Sequence, residues 1–282
     1  DSFIGAGCGN LACTTAVVGG GICNTACGRS SVVVGGSANT SCGFQSFVGG
    51  GSDNTAFSGS VVLGGCCNTS QFDGTIVGGF CNEARGQHST VAGGRFNLAC
   101  GDRNYVGGGC CNIAKGGCGI FVGGGRRNHV CGGIGNFHIS CNNKATFSIL
   151  VGGQCNSLSG GNVFMGGGNC NINTGFSNVI IGGTCNVAGT KRTTPMCTCN
   201  VFNCFNQKPS RNLDGTVRPN GTGFSNYTFI GGGCQNSTLS GFSLVVGGCC
   251  NVAEGTASVV VGGKNNKQNR TQGAFIGGGE TN

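Results

Sequence analysis

The cysteines are the residues best suited to chemistry in this chain: there are 23 among 282 residues. Their spacing is periodic. One column stands directly before an Asn, at Cys23, Cys67, Cys81, Cys111, Cys141, Cys155, Cys170, Cys185 and Cys250. A second lies two residues before it, at Cys8, Cys66, Cys110, Cys234 and Cys249, and a third lies three after it, at Cys13, Cys27, Cys42, Cys100 and Cys131. So many thiols favour an oxidising compartment, where they would be spent on disulfides. Metal binding is not expected. Cys197-x-Cys199-x4-Cys204 lacks a fourth nearby ligand, and His88, His129 and His138 fall on separate repeats. No cofactor is expected either. The chain offers no Ser/His/Asp constellation and no carboxylate pair, and no helix follows its glycine-rich phrases to cradle a phosphate. An enzyme is therefore not the expected class.

What positions the cysteines is a repeat. An Asn following "GG-x-x" or a near variant recurs at Asn10, Asn24, Asn39, Asn54, Asn68, Asn82, Asn97, Asn112, Asn128, Asn142, Asn156, Asn171 and Asn186, then at Asn236, Asn251, Asn266 and Asn282. The gaps are 14 to 16 residues, with one of 50 between Asn186 and Asn236. The consensus is S-φ-V-φ-G-G-x-x-N-x-A-x-G-x-x, where φ is apolar. A helix disfavours Gly and needs about ten residues, so this unit cannot hold one. Two short strands joined by glycine corners fit, because Gly supplies the positive φ of a tight corner. The expected fold is all-β, a parallel β-solenoid with one repeat of ~15 residues per turn and about 17 turns. The expected division is solenoid over 1–189, a loop insertion over 190–225 and solenoid again over 226–282.

Stacking puts equivalent residues about 4.8 Å apart, the ordinary strand spacing. An inward Asn on every turn could then bond to the amide of the next. The ladder is assigned to Asn24, Asn39, Asn54, Asn68, Asn82, Asn97, Asn112, Asn156, Asn171, Asn186, Asn236 and Asn251. The alternative is a turn residue tolerating left-handed backbone. The ladder is favoured because Asp almost never replaces Asn, and a buried column of carboxylates would be prohibitive. The same spacing suits disulfides, whose Cα atoms lie about 4.4–6.8 Å apart. The expected pairs are Cys67–Cys81, Cys141–Cys155, Cys170–Cys185, Cys13–Cys27 and Cys234–Cys249, the alternative being Cys as a small buried hydrophobe. An odd count leaves at least one thiol free or paired between chains.

The phrase "SVVVGGSANTSCG" at 31–43 resembles the head repeat of trimeric autotransporter adhesins of the YadA type. Here Asn stands where that family has its first inward Ala, and the small residue after it (Ala56, Ala253) stands at the second. Similar arrays occur in fibre proteins of phages and large viruses. The resemblance spans nearly the whole chain outside 190–225, although the present repeat is nearer 15 residues than 14 and is far richer in Cys. It implies a left-handed parallel β-roll, a trimer and a role in surface adhesion.

Composition bounds the partners. The net charge of +8 comes from scattered residues, with small clusters at Arg126–Arg127, Lys191–Arg192 and Lys208/Arg211/Arg218, and not from the dense basic stripe of a nucleic-acid binder. No apolar run reaches the roughly 18 residues of a membrane span. The chain starts and stops in mid-phrase, which reads as a piece of a longer fibre or as units that stack end to end. Each turn is expected to bury about one Asn, one Ala or Ser, and two or three of Val, Ile or Phe. So thin a core, with outward Phe44, Phe57, Phe121 and Phe224, suggests a homo-oligomer, with a trimer preferred and an end-to-end filament as the alternative. The insertion could be a binding face for a host receptor or glycan, or a tolerated surface loop. Sequons occur at Asn39, Asn68, Asn220, Asn226, Asn236 and Asn269. Those on the anchors would be closed by an inward side chain, which leaves Asn220 and Asn226 as the glycosylation candidates. The functional expectation is a rigid, disulfide-reinforced surface fibre or adhesin of a virion or cell, extracellular, with a self-assembling filament subunit as the alternative. A regular Thr array that would suit ice is confined to Thr25, Thr40, Thr55 and Thr69.

Overall fold

The computed structural model describes residues 1–131, 147–189, 227–269 and 271–282. The turn from Val32 to Ser46 shows how the repeat folds. Val32–Val33 is a two-residue strand with Val33 inward and fully buried. The chain then turns through Gly35 and Gly36, makes a single bridge at Ser37, and passes through left-handed backbone at Ala38 (φ 55°). Asn39 follows, buried, and Thr40–Ser41 forms the second strand. A second corner, with Gln45 left-handed at φ 54°, returns the chain to the start of the next turn. The strands are two residues long because each face of so small a coil spans only one inward and one outward side chain before the next corner.

Equivalent strands stack in parallel and in register, so that Val32 pairs with Val17 and Phe47, and Thr40 with Thr25 and Thr55. The chain is all-β, a β-solenoid of about fifteen turns with two parallel sheets. Its contacts divide it into two compact units, Asp1–Phe147 and Ser148–Asn282. Among the described residues, the first unit stacks nine strands per sheet, from Phe3–Ile4 to Phe121–Val122 and from Leu11–Ala12 to His129–Cys131. The second stacks seven and six, from Ile149–Leu150 to Phe275–Ile276 and from Ser157–Gly161 to Lys267–Gln268. The turn at Asn142 and the insertion expected at 190–225 lie outside the described residues. On either side of the insertion the register is unbroken, because Val179 pairs with Phe229 and Val187 with Ser237. Solenoid on both sides of 190–225 therefore belongs to one unit, and the division of the chain falls at Phe147/Ser148.

The core is thinner than composition suggests. A typical turn buries a single large apolar side chain, such as Val33, Val48, Val62, Ile76 or Val91. The rest of its interior is an Asn, an Ala or Ser from the second strand, and a small residue from the second corner, often Ser. The expected second and third Val, Ile or Phe face outward, since the strand partners Val32 and Val61 are only half-buried. Phe44, Phe57 and Phe121 are exposed, and Phe224 lies outside the described residues.

Candidate functional site

The corner that carries the anchor Asn is the most densely bonded part of each turn. Asn39 Nδ2 donates to the Gly35 carbonyl of its own turn and to the Gly51 carbonyl of the next, both at 2.9 Å. Its Oδ1 accepts from the backbone N–H of Asn54, one turn along, at 3.1 Å. The pattern repeats at every described anchor between Asn24 and Asn112 in the first unit, and again in the second, from Asn171 through Asn186, Asn236 and Asn251 to Asn266. The ladder assigned to Asn24, Asn39, Asn54, Asn68, Asn82, Asn97, Asn112, Asn156, Asn171, Asn186, Asn236 and Asn251 is thus buried and axial. Its wiring differs from a simple amide-to-amide column. Direct side-chain links join Asn39–Asn54, Asn54–Asn68, Asn156–Asn171 and Asn266–Asn282, and the rest of the axial bonding runs through backbone. The left-handed residue is the one before the Asn, not the Asn itself.

This wiring explains the residue types. Nδ2 faces two carbonyl oxygens, so Asp would set a carboxylate against both. It also explains the second Gly of each pair. A Cβ on Gly36, where φ is +91°, would overlap the Gly51 carbonyl and lie 2.6 Å from Asn39 Nδ2. The opposite corner has its own polar clamp. Ser46 Oγ donates to the Gly43 carbonyl at 2.8 Å and contacts Ser41 Oγ at 2.7 Å. Asn104 and Asn178 occupy the Ser46 position and act like anchors, their Oδ1 atoms accepting from the backbone of Ile120 and Thr228. Sequence reasoning missed these two. The signal was their seven-residue offset from Asn97 and Asn171.

Among the described residues the free cysteines are exposed or half-buried, while Cys155 is buried. Cys13 and Cys27 form a disulfide with Cα atoms 4.6 Å apart. Cys42, next in the same column, is a free thiol, because its neighbour is already bonded. Cys67, Cys81, Cys234 and Cys249 are free as well. Within the adjacent columns Cys67 Sγ lies 3.2 Å from Cys66 Sγ, and Cys249 Sγ lies 3.3 Å from Cys250 Sγ. Cys170 is also free and donates to Asn169 Oδ1 at 3.3 Å, while Cys155 and Cys185 on the turns either side are disulfide-bonded elsewhere, as is Cys118. Cys141, Asn220 and Asn226 lie outside the described residues. The anchor sequons at Asn39, Asn68 and Asn236 are fully buried.

The thiols differ in acidity. The hydrogen bond with Cys67, and then burial, push Cys66 up to about 11. Burial, and then the hydrogen bond with Cys249, push Cys250 to about 11. Cys110 moves the other way, held down by its bond to Cys111 and by Arg95 and Arg126. The described residues place Thr25, Thr40, Thr55 and Thr69 in one outward column, ended by Glu83. Among the described residues, no helix is long and apolar enough to cross a membrane. No family model and no curated protein matches the chain.

Proposed function

We propose that this chain is a structural surface-fibre protein, extracellular and non-enzymatic, whose solenoid is a rigid spacer or head for attachment. The observation that carries this reading is the asparagine ladder, which ties each corner to the next through side chain and backbone alike. Interior polar groups used this way serve rigidity. The disulfide Cys13–Cys27 and the bonded Cys118, Cys155 and Cys185 favour an oxidising compartment. The likeness of 31–43 to YadA-type heads agrees with the same role, and receptor or glycan contact would then fall to the insertion.

The partner is a further copy of the chain, most simply in a trimer. What supports this is the outward position just after the first strand, which in the first unit carries exposed Val34 (51%), Leu63 (50%) and Val77 (47%) between turns that have Gly or Ala there. Val151, Ile181, Val246 and Val261 continue the pattern in the second. Electron microscopy of the purified, non-reduced protein tests the proposal. Short spikes or knobs of uniform length support an attachment fibre, and filaments of indefinite length support end-to-end assembly instead. A dispersed population of monomers that sediments unchanged at micromolar concentration contradicts both.

A further inference from the structure

The free thiols are not equivalent, and one group of them meets a carboxylate. Asp53, Cys67 and Cys81 occupy the left-handed position before the anchor on three successive turns, with φ of 56°, 58° and 50°. Cys66 stands beside Cys67 in the bridging column, between Ser52 and Phe80. The ligand atoms of Asp53, Cys66 and Cys67 all lie within 4.8 Å of one another. Cys81 stands one turn beyond Cys67 at the same left-handed position, its backbone N–H bonded to the Cys66 carbonyl at 2.9 Å.

We propose that Asp53, Cys66, Cys67 and Cys81 form a binding site for a thiophilic divalent cation of the zinc class. Three sulfurs and one carboxylate oxygen are a four-ligand set of the kind tetrahedral zinc takes, with bonds of about 2.3 Å to sulfur and about 2.0–2.2 Å to oxygen. Ligands on such an ion stand roughly 3.5–3.8 Å apart, so Asp53, Cys66 and Cys67, already within 4.8 Å of one another, need only a small closing movement. The frame beneath is fixed. Cys67 N donates to the Ser52 carbonyl at 3.0 Å and Cys81 N to the Cys66 carbonyl at 2.9 Å. Ser52 Oγ donates to Asp53 Oδ2 at 2.7 Å and orients the carboxylate. On binding, each of the three thiols releases its proton to solvent as its sulfur–metal bond forms. Asp53 contributes a carboxylate oxygen, and no atom changes oxidation state.

The other thiol groups lack this character. Cys110 and Cys111 lie 3.0 Å apart but face Arg95, Arg126 and Arg127, which repel a cation. Cys234, Cys249 and Cys250 have Lys264 nearby, and Cys250 donates to Gln235 Oε1 at 3.1 Å. Near Cys81, Glu83 adds a further carboxylate, paired to Arg85 at 2.6 Å.

The test is thiol footprinting on the intact chain. The protein is reduced with a phosphine, freed of it, and alkylated with and without one equivalent of Zn2+. The alkylation of each cysteine is then read by mass spectrometry. The proposal expects Zn2+ to protect Cys66, Cys67 and Cys81 selectively, and Co2+ to give a thiolate charge-transfer band. Replacing both cysteines (Cys66→Ser with Cys67→Ser) removes the protection of Cys81, and the control pair Cys110→Ser with Cys111→Ser leaves the site intact. Asp53→Asn, an exposed change that keeps the fold, weakens Zn2+ binding at least about tenfold. Equal alkylation of Cys66, Cys67 and Cys81 with and without Zn2+ overturns the proposal. So does protection spread evenly over all free thiols, the mark of adventitious binding.

Discussion

Asn39 Oδ1 accepts the backbone N–H of Asn54 at 3.1 Å and lies the same distance from Asn54 Nδ2, whose two protons are shared among three acceptors. One oxygen thus faces both the chain and the side chain of the next turn. Asn54 in turn donates to the Gly50 and Gly65 carbonyls at 2.9 Å and accepts from the backbone of Asn68 at 3.0 Å. Replacing Asn54 with Leu leaves those groups buried without partners, at a cost of about 1–3 kcal/mol each. Denaturant titration of Asn54→Leu is expected to show a loss of several kcal/mol. Asn54→Asp is expected to be destabilised as well, since its carboxylate meets the same two carbonyls.

The two glycines of each corner differ. A Cβ on Gly64 meets nothing within 4 Å, whereas on Gly65, at φ +88°, it meets the Gly79 carbonyl and lies 2.6 Å from Asn68 Nδ2. Gly64→Ala is expected to be neutral or to stabilise by up to about 1 kcal/mol, through the unfolded chain. Gly65→Ala is expected to destabilise by more than that gain. Thermal melts of the two variants check the contrast.

Thiol reactivity follows the local charges. Cys110 is held below the ordinary thiol value by Cys111, Arg95 and Arg126, and Cys66 is raised to about 11. The thiolate is the nucleophile, so at neutral pH iodoacetamide is expected to modify Cys110 well before Cys66 in the metal-free protein. Site-resolved mass spectrometry over a pH series should show the Cys66 rate still climbing where that of Cys110 has levelled.

His129 stacks on Ile113 with its ring near the Cys131 thiol, 3.3 Å from Nε2. Burial, and then Lys115, hold its pKa below the ordinary 6.5. The folded state therefore binds this proton less readily than the unfolded chain. The contribution of neutral His129 is present above about pH 6.5 and is lost as pH falls toward the folded value. A denaturant midpoint that drops between about pH 7 and about pH 5, and drops less in His129→Gln, is the expected result.

The period, the inward Asn and the two-strand turn were legible because a solenoid repeats its constraints on every turn. Asn39 and Asn54 read alike because they do the same work. The wiring was less legible. That Asn39 Oδ1 takes a backbone N–H depends on the left-handed residue at Ala38 or Asp53, a position where sequence is free. Disulfide pairing was legible only as adjacency. The column places Cys67 one turn from Cys81, but it is silent on Cys66, whose sulfur lies 3.2 Å from that of Cys67. The carboxylate of Asp53 joins the same group from a turn earlier, which no local metal motif reveals.

The most direct test of the ladder is amide hydrogen exchange resolved to single residues. The backbone N–H of each described anchor from Asn24 to Asn128, and again from Asn171 to Asn266, donates to the preceding Asn side chain. Within each unit these amides should exchange slowly and at similar rates, because opening one turn breaks bonds to both neighbours. Anchor amides that exchange as fast as exposed loop amides, with protection confined to the two-residue strands, would contradict the account.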